Sequence, residues 1–497
     1  MKWSIICAKI LFIFTFATYM RNTKPIISFC FAIIAVAVVM LQSCYGRIEY
    51  STSPEDRLSF SCDTLELDSI FVGVTSASGM LVAYNGNDRA IRFDALLCGG
   101  NDSPFQMSVD GFDGTSIAGL EVAPHDSVIC FVRVRPTGVS DNPVSLLLDS
   151  IAFLLESGVS QYVVLSASSV NAVRLDGSCI TQDTHFDARL PYLIYDSLYV
   201  ASGACLEIAP GTSLYFHNGA FLKADGRILA LGTRDSQILF AGDRLDRVLE
   251  DLPYSLLDSQ WKGIELGIGS FGNRFENCMI RGGEFGLRAD SSNSDRSKFE
   301  LVSSIVHNVT GNCIEAEECR IAIANSQITN AGEYCMDIRG GRTEVVFSTI
   351  ASLSVWNMGI AAVSLAPGAA DTAFDGAVFR DCIITGRHAD EFLVSDSVLE
   401  KYSDRIDVSH SLVLTKDTAR VFYHGAVFEH QSSDLSGAAN FIGKSVRGYD
   451  SVFLPDSLSR ARGIADSLSV DWPQDLCGTQ RPVSGADAGC YQSFFAE

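Results

Sequence analysis

Short apolar runs recur at similar intervals along the second half of the chain. Their central residues are Ile280, Val306, Ile328, Ile350, Ile384 and Val413, at successive gaps of 26, 22, 22, 34 and 29 residues. A second apolar run follows each of the first four, at 286–289, 313–316, 335–338 and 359–362. A unit of this length is too short to bury its own apolar face, so we predict stacked units that share one interior.

Several motifs around these runs resemble those of the right-handed parallel β-helix of the pectate-lyase type. Residues 199–212 end in Pro210-Gly211-Thr212, and residues 226–233 follow a glycine-x-leucine-x-alanine-x-glycine-threonine pattern, with Ile228 in place of the first leucine. Trp261-Lys262-Gly263-Ile264 and a closing Asp475…Arg481…Gly489-x-Tyr491 signature belong to the same resemblance, which spans about Tyr192 to Gln492. The resemblance implies an all-β solenoid.

The region from about Leu58 to Ala167 shows a different pattern, in which short strands with period-two alternation are separated by glycine- and aspartate-rich turns. This spacing predicts a β-sandwich, and phrases such as Val109-Asp110-Gly111 resemble the immunoglobulin-like modules placed ahead of β-helices in bacterial surface lipoproteins. The clearest predicted strands are Leu65–Val74, Met80–Tyr84, Ala90–Leu97, Phe105–Val109, Val128–Val134 and Tyr162–Ser166.

The start of the chain resembles a lipoprotein signal. Arg21 and Lys24 precede sixteen uncharged residues, Ile26 to Leu41, and Leu41-Gln42-Ser43-Cys44 follows at their end. Together these make a basic start, an apolar stretch and a small residue before the cleavage point. In the lipobox that this segment resembles, the cysteine is acylated and becomes the new amino terminus. Translation starting at Met20 would explain the extra residues upstream. The alternative is a two-helix membrane hairpin, although both apolar stretches fall short of the roughly 20 residues that span a bilayer.

These patterns together predict an all-β chain with an amino-terminal immunoglobulin-like β-sandwich followed by a right-handed parallel β-helix. The predicted parts are a signal segment at 1–43, a lipidated tether at 44–57, the sandwich at 58–172, the β-helix at 173–460 and its carboxy-terminal cap at 461–497.

Composition restricts the partners. The chain has 497 residues and a formal charge of −22, so a nucleic-acid partner is excluded on electrostatic grounds, and an acidic polysaccharide would be repelled unless cations bridged it. The twelve cysteines beyond Cys44 form no CxxC motif, and many lie in apolar runs, where a thiol behaves as a small hydrophobe. We expect mostly buried free cysteines, with Cys477 and Cys490 as the candidate pair.

The second apolar run of each unit supplies a candidate ligand-binding column. Stacking places equivalent residues roughly 4.8 Å apart, which predicts a column of Arg288, Glu315, Asp337 and Ala361 that faces outward by period-two alternation. These charges could grip sugar hydroxyls or form an exposed salt ladder of little energetic value. Lys223 is predicted to lie in a turn before Asp225-Gly226, so no lysine is expected in this column.

The residues indicate no catalytic constellation, metal site or cofactor. HExxH, GxSxG, phosphate loops and dinucleotide fingerprints are absent from the sequence, and Glu315-Ala316-Glu317-Glu318 lacks the glycine-punctuated loop of known calcium sites. The sequence therefore predicts an outer-membrane lipoprotein, on the cell surface or the periplasmic face, whose β-helix binds a glycan or a surface protein. The alternative is a polysaccharide lyase or glycoside hydrolase of the β-helix class, because such enzymes often have this fold.

Overall fold

The computed structural model describes residues 49–138, 142–249, 252–292, 295–354, 359–369, 374–429, 437–442, 452–466 and 471–493. The predictions for Met20, Cys44 and the signal segment therefore fall outside the described residues. Of the helices that the structure describes, none combines the length and apolar character needed to cross a membrane.

The amino-terminal part consists of ten strands in two five-stranded sheets. One sheet has the order β1-β3-β8-β5-β6 and the other β2-β10-β9-β4-β7. The strands are β1 (Leu58–Phe60), β2 (Thr64–Phe71), β3 (Gly79–Asn85), β4 (Ile91–Leu97), β5 (Phe105–Val109), β6 (Phe112–Gly114), β7 (Ser116–Val122), β8 (Asp126–Val134), β9 (Val144–Leu155) and β10 (Ser160–Val170).

The two sheets pack face to face around one apolar core. Leu81 and Val132 come from one sheet, Phe93 and Phe153 come from the other, and all four belong to a single buried cluster. Buried and exposed residues alternate along β8, as expected where one face of a strand meets the core and the other meets water. The six strands predicted in this region are all present, with ends shifted by a few residues.

From Val173 to Phe428, the described strands form a parallel solenoid, apart from one antiparallel pair, Arg247–Leu249 with Leu252–Pro253. Its strands are β11 (Val173–Ile180), β12 (Thr184–Phe186), β13 (Tyr192–Val200), β14 (Cys205–Ile208), β15 (Ser213–Phe216), β16 (Phe221–Ala224), β17 (Arg227–Leu231), β18 (Ile238–Gly242), β19 (Arg247–Leu249), β20 (Leu252–Pro253), β21 (Gly263–Leu266), β22 (Asn273–Glu276), β23 (Cys278–Arg281), β24 (Leu287–Ala289), β25 (Ser297–Val302), β26 (Ile305–Val309), β27 (Ile314–Glu317), β28 (Arg320–Ala324), β29 (Gln327–Ala331), β30 (Tyr334–Arg339), β31 (Gly341–Val346), β32 (Thr349–Ser352), β33 (Ala361–Ala366), β34 (Phe374–Arg380), β35 (Ile383–Gly386), β36 (Phe392–Val394), β37 (Ile406–Ser409), β38 (Leu412–Val413), β39 (Phe422–His424) and β40 (Val427–Phe428).

Helical structure is sparse among the described residues. The α-helix α1 (Asp396–Tyr402) follows β36, and 3₁₀ turns occur at Gly100–Asp102, Tyr254–Leu256, Ser403–Arg405 and Gly437–Asn440.

The solenoid strands form three parallel rows, and successive coils supply one strand to each. Row one runs β15-β18-β23-β26-β29-β32-β35-β38-β40, row two runs β16-β21-β24-β27-β30-β33-β36, and row three runs β12-β14-β17-β22-β25-β28-β31-β34-β37-β39. The long strand β13 pairs with both β15 and β16 at the start of the first two rows. This is the architecture of a parallel β-helix, as the spacing of the apolar runs predicted.

The predicted stacking of the apolar anchors is confirmed residue by residue. Ile280 pairs with Val306, Val306 with Ile328, and the pairing continues through Ile350 and Ile384 to Val413. All six side chains are fully buried in one apolar cluster. Interior contacts between successive coils therefore stabilise the solenoid, as expected for a repeat structure.

A tight turn joins row three to row one in each of these coils. One residue per turn has a left-handed backbone with φ between 45° and 55°: Asn277, Ser303, Asn325, Phe347, Asp381 and His410. Asparagine and aspartate adopt this conformation more readily than most residues. The residue after each turn is serine or cysteine, and the Ser304 and Ser326 hydroxyls accept hydrogen bonds from the backbone N–H of the preceding coil at 2.9 and 3.1 Å.

The carboxy-terminal segment, residues 452–466 and 471–493, packs against the outer face of row one. The buried Arg481 guanidinium donates hydrogen bonds to Asn325 Oδ1 at 2.9 Å and to the Gly489 carbonyl at 3.1 Å, and it lies 4.3 Å from the centre of the Phe347 ring. Gly489 has φ +93°, and a Cβ there would meet Thr349 Oγ1 at 2.6 Å. Glycine is therefore required where this segment crosses the strands.

We expect replacement of one interior anchor to weaken the whole solenoid. Ile328→Ala should lower the free energy of unfolding by about 3 kcal/mol, because it removes buried apolar surface and leaves a cavity between two coils. Ile360→Ala, at a side chain that is 49% exposed, should change it by less than about 0.5 kcal/mol. Guanidinium denaturation of both variants measures the difference, and equal effects would contradict a shared interior.

Candidate functional site

The outward side chains of row two form a charged column. In register, Lys223 stands beside Glu265, Glu265 beside Arg288, Arg288 beside Glu315, and Glu315 beside Asp337. The residues before these in β24, β27 and β30 are Leu287, Ile314 and Met336, which are fully buried. Period-two alternation therefore points the charged residues away from the interior. The structure brings together all three predicted binding residues, Arg288, Glu315 and Asp337.

Two members of this column differ from the prediction. Asp337 pairs with Ser364 and not with Ala361, because Ala361 pairs with Tyr334 three residues earlier. Lys223 was assigned to a turn, yet it belongs to β16 and stands in the same column as Glu315 and Asp337. The turn signal at Asp225-Gly226 is real but begins after the strand has ended.

Neighbouring residues along this column form ion pairs. Lys223 pairs with Glu265, and Arg288 Nε lies 3.0 Å from Glu315 Oε2. These four side chains are a quarter to two fifths exposed. Such pairs at a wet surface contribute little to stability, so their charges stay available to a ligand.

Asp337 departs from the expected exposed ladder, because its side chain is only 3% exposed. The carboxylate is paired with Arg339, whose Nη2 lies 2.9 Å from Asp337 Oδ2. Arg339 itself is 52% exposed. The buried Asp337 therefore fixes an arginine at the surface and does not itself face solvent.

An open groove of about 280 Å³ lies over the middle of this column. Arg288 and Arg339 contribute the positive charges, and the Arg288 guanidinium lies 4.0 Å from the centre of the Phe285 ring. The groove is lined by Glu284, Phe285, Arg288, Gly311, Asn312, Glu315, Glu333 and Arg339. Glu284 and Glu333 lie in the bends before β24 and β30, where no periodic pattern marks them, so the sequence analysis missed them.

Carboxyl groups with a raised pKa lie elsewhere in the solenoid. Burial raises the pKa of Asp381 to about 6, and burial raises the pKa of Glu391 to about 7. Both Glu391 oxygens accept backbone N–H groups, from His388 at 2.6 Å and from Ala362 at 2.7 Å. Asp381 Oδ1 accepts the Asp466 N–H at 2.7 Å, while Oδ2 has no hydrogen-bond partner. These two carboxyl groups stabilise turns and buried contacts of the solenoid.

The cysteines follow the prediction of mostly buried free thiols. Of the twelve in the described residues, seven are buried and all are free, and this includes Cys477 and Cys490. In the same part of the chain, no group of three or more histidine, cysteine, aspartate or glutamate residues is arranged to hold a metal ion.

Comparisons with protein families and with curated proteins find no match for this chain. Among solved structures, the following similarities are distant. Dex49A from Penicillium minioluteum is 10% identical over 73% of this chain and 74% of its own, with a TM-score of 0.18. A PapD-like domain of human CEP192 is 9% identical over 26% of this chain and 96% of its own, with a TM-score of 0.18.

A third similarity is to a family 123 glycoside hydrolase from Clostridium perfringens. It is 10% identical over 26% of this chain and 30% of its own, with a TM-score of 0.19. Scores this low support no inference about the activity of this protein.

We predict that stability decreases as the pH rises through the acidic range because of Asp381. Its pKa in the folded state is raised, so the folded protein holds this proton more tightly than the unfolded chain, and that advantage disappears between about pH 4 and 6. Asp381→Asn should therefore be more stable than the wild type at pH 8 and similar to it at pH 4. Thermal unfolding across this range measures the effect, and a wild-type advantage at pH 8 would contradict it.

Proposed function

We propose that the groove on row two binds a neutral oligosaccharide. The observation that carries this proposal is a solvent-open groove with two arginines and three glutamates on its walls. Sugar hydroxyls both donate and accept hydrogen bonds, so they can donate to the carboxylates and accept from the guanidinium groups. Hydrogen bonds to charged groups are stronger than those between neutral groups.

Charge favours a neutral ligand over an acidic one. The chain carries a net charge of −22, and the groove holds more carboxylates than guanidinium groups. An acidic polysaccharide would be repelled over most of its approach. A surface protein, the other predicted class of partner, would need a contact area much larger than this groove.

A binding role fits the column better than catalysis does. Glycosidases of the usual type need two carboxyl groups at the scissile bond, one of them as a proton donor. Here the Glu315 and Asp337 carboxylates are each held by an arginine. A lyase could use the neutral amine of Lys223 as a base, but here the side chain is an ammonium group paired with Glu265.

The proposed setting is the outer membrane, with the chain anchored by acylation of Cys44. The two-sheet part would then act as an immunoglobulin-like spacer between the tether and the solenoid. Its strand β2 contacts the β19–β20 hairpin through Asp68 and Arg247, where the Arg247 N–H donates to Asp68 Oδ2 at 2.9 Å. A spacer joined in this way would hold the groove away from the membrane on either face.

Replacement of groove charges should weaken glycan binding while leaving the fold intact. A panel of neutral and acidic glycans should contain a neutral ligand whose Kd rises about tenfold or more in Arg288→Met and Glu315→Gln, since each loses hydrogen bonds to a charged group. The matched controls are Arg274→Met and Glu300→Gln, which break an equivalent ion pair on row three. They should bind as the wild type does.

The same panel is assayed for new reducing ends and unsaturated products. Turnover of any glycan by the wild type would replace the binding proposal with the enzymatic one. Binding that is equally lost in the row-three controls would place the ligand elsewhere.

Lipidation at Cys44 predicts the mass of the mature amino terminus and the loss of labelling and membrane attachment when this cysteine is replaced. In cells fed an alkyne analogue of palmitate, the wild-type protein should be labelled and should fractionate with membranes. Cys44→Ala should lose both properties, and mass spectrometry of the wild type should find an acylated Cys44 as the first residue. An unmodified Cys44 inside a longer chain would overturn the anchor, and protease shaving of intact cells would determine the membrane face.

A further inference from the structure

Two of the buried cysteines lie opposite each other on successive coils. Ile314 pairs with Met336 in register, so the residues before them, Cys313 and Cys335, are neighbours across the same two coils. The Cys313 N–H donates to the Tyr334 carbonyl at 3.1 Å, which is the backbone bond that this register requires. Stacked residues of this kind have Cα atoms about 4.8 Å apart, a separation within the usual range for a disulfide.

Both thiols lie in the interior of the solenoid. Cys313 and Cys335 have no exposed surface and belong to its apolar cluster. Their thiol groups are within hydrogen-bonding reach of each other, and Cys313 Sγ also lies 3.5 Å from the Thr329 carbonyl oxygen. The fold therefore brings together two sulfur atoms from different coils.

The flanking positions of this column offer neither sulfur another partner for reaction. In register, Gly286 lies beside the first cysteine on the preceding coil, and Ala362 lies beside the second on the following coil. Neither of these residues has a reactive side chain. Cys278, another fully buried cysteine, has Ser304 in the position beside it. A cross-link to the next coil is therefore open to the first pair and closed to Cys278.

We propose that Cys313 and Cys335 are the site of a disulfide that links two coils of the solenoid in an oxidising environment. The oxidant is itself a disulfide, such as oxidised glutathione. One cysteine thiolate attacks a sulfur of the oxidant and forms a mixed disulfide, with release of one glutathione thiolate. The second cysteine thiolate attacks the mixed disulfide and releases the other. The two glutathione thiolates take up the two protons that the cysteines lose.

Burial determines when this bond forms. It raises the pKa of the Cys313 thiol well above its usual value, and only the thiolate attacks a disulfide. The folded coils therefore protect the reduced pair, and oxidation takes place while the chain folds or opens locally. Once the bond has formed, the coils that cover it also exclude reductants.

The disulfide closes one coil beneath the groove on row two. Its cysteines are 22 residues apart, and Asn312 and Glu333, which lie one and two positions before them, line the groove. The bond restricts the unfolded chain and joins the two coils that carry these groove walls. It depends neither on what the groove binds nor on acylation of Cys44, because the reaction needs only an oxidant.

The test is to refold the purified full-length protein in a glutathione redox buffer, alkylate the remaining thiols, and digest it with trypsin and a glutamate-specific protease. Cleavage after Glu315 separates Cys313 from Cys319, so the cross-linked peptides identify the pair. The wild type should yield residues 301–315 joined to residues 334–339, with the summed mass of the two peptides less two hydrogen atoms. Reduction should separate them.

Alanine variants separate the bond from the packing of the side chains. Cys335→Ala removes the bond, whereas the control Cys382→Ala removes another fully buried cysteine, beside Ser411 on the next coil. Oxidation should raise the guanidinium midpoint for unfolding of the wild type and of Cys382→Ala, and leave that of Cys335→Ala unchanged. The folded, oxidised wild type should keep the bond in dithiothreitol until denaturant is added.

Three results would overturn the proposal. They are the absence of the cross-linked peptides, a disulfide that joins either cysteine to a different one, and a midpoint that rises on oxidation as much in Cys335→Ala as in the wild type. If refolding in vitro fails, export of the full chain to an oxidising bacterial periplasm supplies folded protein for the same digest.

Discussion

The burial of apolar side chains between successive coils is the interaction on which the rest of this structure depends. A single coil cannot cover its own interior face, so each coil is stable only between its neighbours. The column from Ile280 to Val413 provides that contact on row one. Because strands alternate, every inward anchor also places its sequence neighbours on the outside. The charged column of row two is thus a geometric consequence of the core.

The turns between row three and row one fix the register of successive coils. A left-handed residue such as Asn325 turns the chain from row three to row one, and its N–H donates to the carbonyl of Val346 on the next coil. The backbone N–H of the following residue, Ser326, donates to the buried Ser348 hydroxyl on the next coil at 3.2 Å, which adds a side-chain hydrogen bond between the same coils. Repeated hydrogen bonds of this kind satisfy backbone groups that would otherwise be buried without partners. They also prevent one coil from sliding relative to the next.

Periodicity made the core predictable, and its limits explain the errors. The anchors lie in short apolar runs that recur every 22 to 34 residues, so their partners could be identified from the sequence. Ala361 was misplaced because the sequence separation is not constant: Asp337 follows its row-one anchor Ile328 by nine positions, whereas its partner Ser364 follows Ile350 by fourteen. The sequence could not show that Asp337 is buried, because alternation gives the direction of a side chain but not which residues cover it. Glu284 and Glu333 were missed since bends have no period.

Inward and outward positions have separate physical roles, and this separation bears on function. The Arg288–Glu315 pair is partly solvated and contributes little to stability, so a ligand can exchange one of its hydrogen bonds at low cost. Asp337 is different, because removing its arginine would leave a carboxylate buried without a partner, which is strongly destabilising. The groove therefore combines adaptable charges with one fixed arginine. A rigid backbone beneath adaptable polar side chains suits recognition of a hydroxyl-rich ligand, whose donors and acceptors vary in position.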